Sequence, residues 1–497
     1  MAPDPGLVRL RVSLRAVLGI TLAVALAELL GFSLTASITA GLAALLALFT
    51  VGDPTVRRQA VTTALLPAVG FPVLALATLL HAAPLLRDAA WLLVVFAGVY
   101  ARRWGPRGHA LGIFAFMQFF VTQFLHALPA QLPELYAATG VALGAAAAVR
   151  FLVWPIERRV PPPAVPAALP GRGLARATTR QAVQVAVASG VALVVGQFLS
   201  EERWYWAVGT VWWIFVNTAS RGETLVRGFR RVLGTVTGIA GGFLVAIPLG
   251  GAPAATAVLV AACVFGIFYT AAVSYSWMIL AVTVMASLLY GLLGVLDGSL
   301  LLLRVAETGV GALCAGLAVT LVLPVRTHTT NDAWIQRALL CVRSATSASV
   351  RRLAGEATAD PTPHAAELES LLGRVRLSLA PLVHPLNPFL ARKQRARRVL
   401  TLLDEAAGEV RGLVDVAADP DASHDARLAA ACWRVEAAVE ALTSRSGAAV
   451  ATDPHLRAEG EAHAGVPALA HASGLARVLT ELDAPLRTQP STWMARS

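Results

Sequence analysis

Long apolar runs and short polar breaks alternate through the first 325 residues, and there the alternation stops. The runs fall at 15–32, 35–51, 60–80, 89–101, 110–128 and 135–155, and again at 181–199, 204–219, 232–250, 254–272, 276–296 and 300–324. A helix needs about 20 apolar residues to cross roughly 30 Å of hydrocarbon, so most of these runs have the length of a transmembrane span. The run at 89–101 is short for that, which predicts a tilted or partly re-entrant helix, or one extended by its flanks. After Arg326 the pattern changes to amphipathic stripes. Val399, Leu402, Leu403, Ala406, Val410, Leu413, Val414 and Ala417 recur at three- and four-residue steps with charged residues opposite, as on a soluble helix. Similar stripes run through about 333–354, 365–380, 424–443 and 467–483. Asp360-Pro-Thr-Pro363 and Asp419-Pro-Asp-Ala-Ser423 read as loops with cap residues.

The apolar part repeats itself. Tyr136-Ala-Ala-Thr-Gly-Val through Trp154-Pro155 returns as Val305-Ala-Glu-Thr-Gly-Val through Leu323-Pro324, at a constant offset of 169 that also carries Tyr100 onto Tyr269. Six spans return a half to the side on which it began, so the halves are expected to be parallel repeats about an axis along the membrane normal. The expected fold is all-α and polytopic, with about twelve transmembrane helices in two parallel six-helix repeats and a helical cytoplasmic C-terminal domain. Its parts would be a first membrane repeat at 1–159, a Pro/Arg-rich cytoplasmic linker at 160–180, a second membrane repeat at 181–325, and the helical domain at 326–497. Val160-Pro-Pro-Pro-Ala-Val-Pro166 cannot continue a helix, because its prolines lack donors and fix the chain extended.

Composition agrees. Hydrophobic residues make up 56% of the chain and charged residues 14%, against about 25% charged in a soluble domain. The net charge of +11 would suggest nucleic acid, but its distribution argues otherwise. Arginines gather at alternate breaks, among them Arg57 and Arg58, Arg102 and Arg103, Arg158 and Arg159, and Arg221, Arg227, Arg230 and Arg231; the other breaks hold little besides Arg87 and Arg203. That is the positive-inside bias of a multi-pass cell-membrane protein, and it puts both termini in the cytoplasm. A single lysine, Lys393, leaves no phosphate-binding loop to write, and the four cysteines lack metal spacing. The sequence asks for no metal, no cofactor and no catalytic residues, and the chain is not expected to be an enzyme. Its expected partners are the lipid bilayer and small organic anions, not nucleic acid, with a second copy or an accessory subunit docking through the C-terminal domain.

Ionisable residues within apolar spans are costly and mark candidate sites. Glu28 falls deep in the first run, and Arg304 and Glu307 share a face of the twelfth, where they can pair. A carboxylate in such a place could exchange protons, and an arginine could hold a carboxylate by its fork. The substrate-binding candidates are Arg304, Arg150, Arg230, Arg231 and Trp212; the proton-coupling candidates are Glu28 and Glu307. Arg150 could instead snorkel to the interface. Gln118, Gln123, Gln184, Gln197 and Asn217 could line a polar path or bond between helices. Trp204, Trp206, Trp212 and Trp213 suit an interfacial belt or a stacking platform. Gly234, Gly238 and Gly242 recur at four-residue spacing, which lets two helices approach closely in lipid.

Trp204-Tyr-Trp-Ala-Val-Gly-Thr-Val-Trp-Trp213, the arginine-rich break and Arg231-Val-Leu-Gly-Thr-Val-Thr-Gly238 resemble the membrane module of the fusaric acid resistance family. That family, also called the aromatic acid exporters, is similar in this module to plant aluminium-activated malate transporters. Ser276-Trp-Met-Ile-Leu-Ala-Val-Thr-Val284 fits it too, whereas Arg57-Arg58-Gln-Ala-Val-Thr-Thr63 lacks the Gly-Thr pair. The resemblance implies efflux of aromatic or other organic acids driven by protons, or passive anion conduction. The plant relatives form their pore as dimers of one module, so here both halves would lie on one chain. A non-transporting membrane scaffold, recruiting a partner through its helical tail, is the rival from another class.

Overall fold

The computed structural model describes residues 7–157, 173–216, 218, 221–249, 252–324, 327–356, 358–383, 390–418, 426–443 and 467–487. The proline linker at 160–166, Asn217 and the loop at 419–423 lie outside them. The regular secondary structure of the described residues is all helical, without strands, and the chain divides into two compact units.

The first unit holds α1 (Val8–Leu29), α2 (Leu34–Thr50), α3 (Val56–Leu79), α4 (Pro84–Tyr100), α5 (Gly105–Phe124) and α6 (Leu132–Glu157). It continues with α7 (Ala177–Leu199), α8 (Tyr205–Phe215), α9 (Arg221–Leu249), α10 (Pro253–Ala271), α11 (Tyr275–Leu292) and α12 (Gly298–Leu321). Each apolar run of the sequence is thus a helix, but not every helix is a span. Among the described residues, nine stretches are long and apolar enough to cross a membrane, with α4 and α5 counted as one. The short α2 is not among them, and α8, with 11 residues, is only about 16 Å long at 1.5 Å per residue. All of α8 except Trp213 is buried, so it lies inside the protein and not in lipid.

Local chemistry sets the breaks. Ser33 caps α2 by accepting from the Ala36 N–H, and both its N–H and hydroxyl donate to Glu134 at the start of α6. Thr55 caps α3 by accepting from the Arg58 N–H. Gly105 turns the chain between α4 and α5 at φ 77°, where a side chain would be strained. Several helices begin well before their apolar runs. α1 starts at Val8 and α9 at Arg221, so the arginines there ride on the first helical turns. Arginine is a good helix former, and hydropathy alone cannot see it.

The packing follows one scheme twice. α1 packs on α2 and α6, and α6 on α2; α7 packs on α8 and α12, and α12 on α8. α3 and α4 both pack on α5, and α9 and α10 both on α11. The two groups meet through α4 on α7 and α1 on α10. Outward apolar stripes such as Leu14, Leu18 and Leu22 on α1, and Leu313, Leu317 and Leu321 on α12, are exposed. Continuous apolar surface of this kind suits contact with lipid.

The second unit comprises α13 (Thr327–Leu353), α14 (Thr362–Val383), α15 (Leu390–Ala418), α16 (Ala426–Thr443) and α17 (Pro467–Arg487). It has its own apolar interior, including Leu371, Val375, Leu402, Val410, Val435, Leu475 and Leu479.

Candidate functional site

The ionisable groups of α12 meet the start of α8 and the end of α11. Trp206, one residue into α8, donates its indole N–H to the Tyr290 hydroxyl at 2.6 Å. The Arg304 guanidinium lies over the Trp206 ring, its Cζ 3.3 Å from the centroid, and Arg203 sits 5.3 Å from the Tyr290 ring. Phe120 and Phe124 of α5 close the other side: Phe120 meets Trp206 at 4.8 Å and Tyr205 at 5.5 Å, and Phe124 meets Tyr290 at 5.3 Å. Stacking on a desolvated ring stabilises a guanidinium by about 2 kcal/mol while leaving its edge free to donate. Arg304 is 5% exposed and its Nε has no acceptor.

Glu307, one turn further along α12, is fully buried, and neither carboxylate oxygen has a hydrogen-bond partner. The expected Arg304–Glu307 pair does not form: among the described residues no ion pair joins them, and Arg304 lies instead on Trp206. The result is a buried carboxyl and a buried guanidinium side by side, each with unused hydrogen-bonding capacity, in an aromatic surround. Such a place suits an aromatic carboxylate, whose ring would stack and whose oxygens would take the guanidinium edge.

The other candidates scatter. Glu28 is exposed and is the penultimate residue of α1, which ends at Leu29, three residues before its apolar run does; it is not deep in a span. Arg150 is buried, and its guanidinium donates to Val51 O at 2.9 Å, Ala47 O at 3.0 Å and Leu48 O at 3.2 Å, so it does not snorkel but closes the end of α2. Arg230 is exposed on α9, whereas Arg231 is buried and reaches the Tyr275 hydroxyl at 3.5 Å. Trp212 is buried in a stack with Phe116 at 4.3 Å, and Trp204 and Trp206 are buried too, so these tryptophans form no interfacial belt. Gly234, Gly238 and Gly242 face α11. A Cβ at Gly234 would stand 2.6 Å from Ser276 O, and one at Gly238 would stand 2.7 Å from Thr283 Cβ. Of the polar candidates, Gln184 donates to Val322 O and Leu323 O at the end of α12, and Gln197 donates to Asp88.

Tyr290 and Arg203 were not singled out from the sequence. One signal was there: Arg87 and Arg203 are the arginines outside the alternate-break pattern. Each lies over a ring, Arg87 over Trp204 at 4.8 Å and Arg203 over Tyr290.

Residues 191–318 match the family model described as fusaric acid resistance protein-like. That stretch is similar to the domain this model describes. The matched stretch of the fusaric acid resistance protein-like domain contains Trp206, Tyr290, Arg304 and Glu307. Phe120 and Phe124, which complete the aromatic surround, come from outside it. No curated protein and no solved structure matches the chain. Together the domain and the apolar helices make this a multi-pass membrane protein and suggest a transporter.

Proposed function

We propose that the chain exports aromatic or other organic acids across the cell membrane in a proton-coupled cycle, with Arg304 anchoring the substrate carboxylate and Glu307 carrying the proton. The observation that supports this is the Glu307 carboxyl, fully buried and without a partner, one turn from a buried guanidinium. A charge so placed is expensive, so Glu307 has two ways to reduce the cost: take a proton, or pull Arg304 off Trp206 and pair with it. Substrate and Glu307 therefore compete for one guanidinium. A protonated Glu307 leaves Arg304 to the substrate, and a deprotonated Glu307 displaces it.

On this reading the two groups of helices are copies of one duplicated unit. Support comes from the helix starts: α1 at 8 and α7 at 177, and α4 at 84 and α10 at 253, differ by 169. The doubled packing scheme points the same way. The copies are chemically unequal, since Leu135, Ala138, Ser37 and Val121 stand where Arg304, Glu307, Trp206 and Tyr290 stand in the second half.

The test is benzoate flux in proteoliposomes holding the full chain, under an imposed pH gradient. Wild-type flux is expected to follow the gradient, and Glu307→Gln to make residual flux indifferent to it. Arg304→Lys, which keeps the charge but loses the fork, should raise KM about tenfold or more. Unchanged wild-type flux after collapse of the gradient would make the chain a passive anion channel. No flux of any organic acid, with the tail retaining a bound protein, would make it a scaffold.

A further inference from the structure

At its other end α8 runs into a second group of cations. Arg102, from the 3-10 turn Ala101–Trp104 between α4 and α5, donates through Nη1 to Phe215 O at 2.9 Å, and its guanidinium lies 5.7 Å from the Trp212 ring. Arg227 of α9 donates through Nε to Trp213 O at 3.2 Å and stacks on Tyr275, 3.9 Å from the centroid. The Tyr275 hydroxyl donates to the same Trp213 O at 3.2 Å and accepts from Arg231 Nη1. Three guanidinium groups thus converge on the last turn of α8, linked through Tyr275 and two adjacent stretches of main chain.

The cluster is undercompensated. No ion pair joins Arg102, Arg227 or Arg231 to a carboxylate among the described residues. Arg231 is 95% buried, judged from its 5% exposure, and its Nε has no acceptor. Arg102 likewise holds Nε and Nη2 buried without acceptors. Carbonyl oxygens at a helix end accept hydrogen bonds and favour cations through the helix dipole, but they bring no full negative charge. Three like charges sharing a poorly hydrated space repel one another, and an anion is what removes both that repulsion and the empty donors.

We propose that Arg102, Arg227 and Arg231 form a second anion site, at the C-terminal end of α8, which takes a carboxylate by its fork. The carbonyls that hold it, Trp213 O and Phe215 O, stand seven and nine residues along α8 from Trp206, about 10–14 Å at 1.5 Å per residue, which sets it apart from the place where Arg304 lies on that ring. The site needs both groups of helices, because Arg102 precedes α5 while Arg227 and Arg231 stand on α9. An arriving carboxylate takes the empty Arg102 Nε and Nη2 edge and the Arg231 Nε, while Arg102 Nη1 and Arg227 Nε keep their bonds to Phe215 O and Trp213 O. Only the ligand class rests on the organic-acid reading above; the site itself rests on the three arginines.

The experiment is equilibrium dialysis of radiolabelled benzoate against the purified full chain, with binding stoichiometry as the readout. Arg304→Gln is expected to keep one equivalent of benzoate, and Arg102→Gln or Arg231→Gln to lose that equivalent and keep the other. Retention in Arg304→Gln supports the second site whatever the flux assay gives. Loss of all binding in Arg304→Gln overturns it, as does full stoichiometry in Arg102→Gln and Arg231→Gln proteins that elute and melt as wild type does. Where glutamine prevents folding, Arg231→Lys keeps the charge and loses the fork, and weakening of about tenfold is expected. Displacement of benzoate from the second site by chloride at equal concentration would overturn the assignment of a carboxylate.

Discussion

Arg150 and Glu307 are both charged residues in apolar runs, and their fates differ. The Arg150 guanidinium is occupied by three carbonyls at the end of α2, which have no further helical partners of their own. This is structural work, and it explains why an arginine sits where the matching residue of the other half is Val319. Arg150→Met should strand buried carbonyls at about 1–3 kcal/mol each, and so lower the melting temperature sharply in detergent. Any protein that survives should transport with unchanged KM. A variant as stable as wild type would show that α2 needs no such closure. Glu307, by contrast, has nothing to bond, and Glu28 is at the surface. The sequence offered all three on equal terms, because a residue's place in a run says nothing about which neighbour will face it.

At the scale of elements, periodicity located the helices and misjudged their ends. The runs at 15–32 and 232–250 became α1 and α9, extended over arginines that hydropathy scores as breaks. The same measure made α8 look like a span, since an apolar segment buried in protein and one buried in lipid read alike. The glycines of α9 were more telling. Their spacing pointed to a close neighbour, and α11 stands against that face. Gly238→Val would push a side chain into Leu280 O at 2.9 Å and Thr283 Cβ, two atoms of a packed helix that cannot retreat independently. Overpacking of this kind costs about 1–3 kcal/mol, so the melting temperature should fall. A substitution at the neighbouring exposed Val236 should leave it unchanged.

For the whole molecule, the division into two units, each with its own interior, has a direct consequence. A chain ending after residue 326 should insert, and its pH-gradient-driven flux should persist, if the helical unit only regulates or recruits. Complete loss of flux in a truncated protein of normal melting behaviour would place that unit in the transport cycle. The sequence by itself determined that the chain is helical, that its first part is apolar enough for a membrane, that its arginines cluster, and that an amphipathic region follows. Those properties are sums of local terms, such as transfer energy and helix propensity, and each residue contributes without reference to distant ones. Only the tertiary structure decided that Arg304 lies on Trp206, that Tyr290 bonds that tryptophan from 84 positions away, and that Arg102 holds the end of a helix 113 positions away. Such contacts arise when α5, α8, α11 and α12 pack together. A carboxyl or guanidinium becomes a candidate for binding through what that packing leaves unpaired.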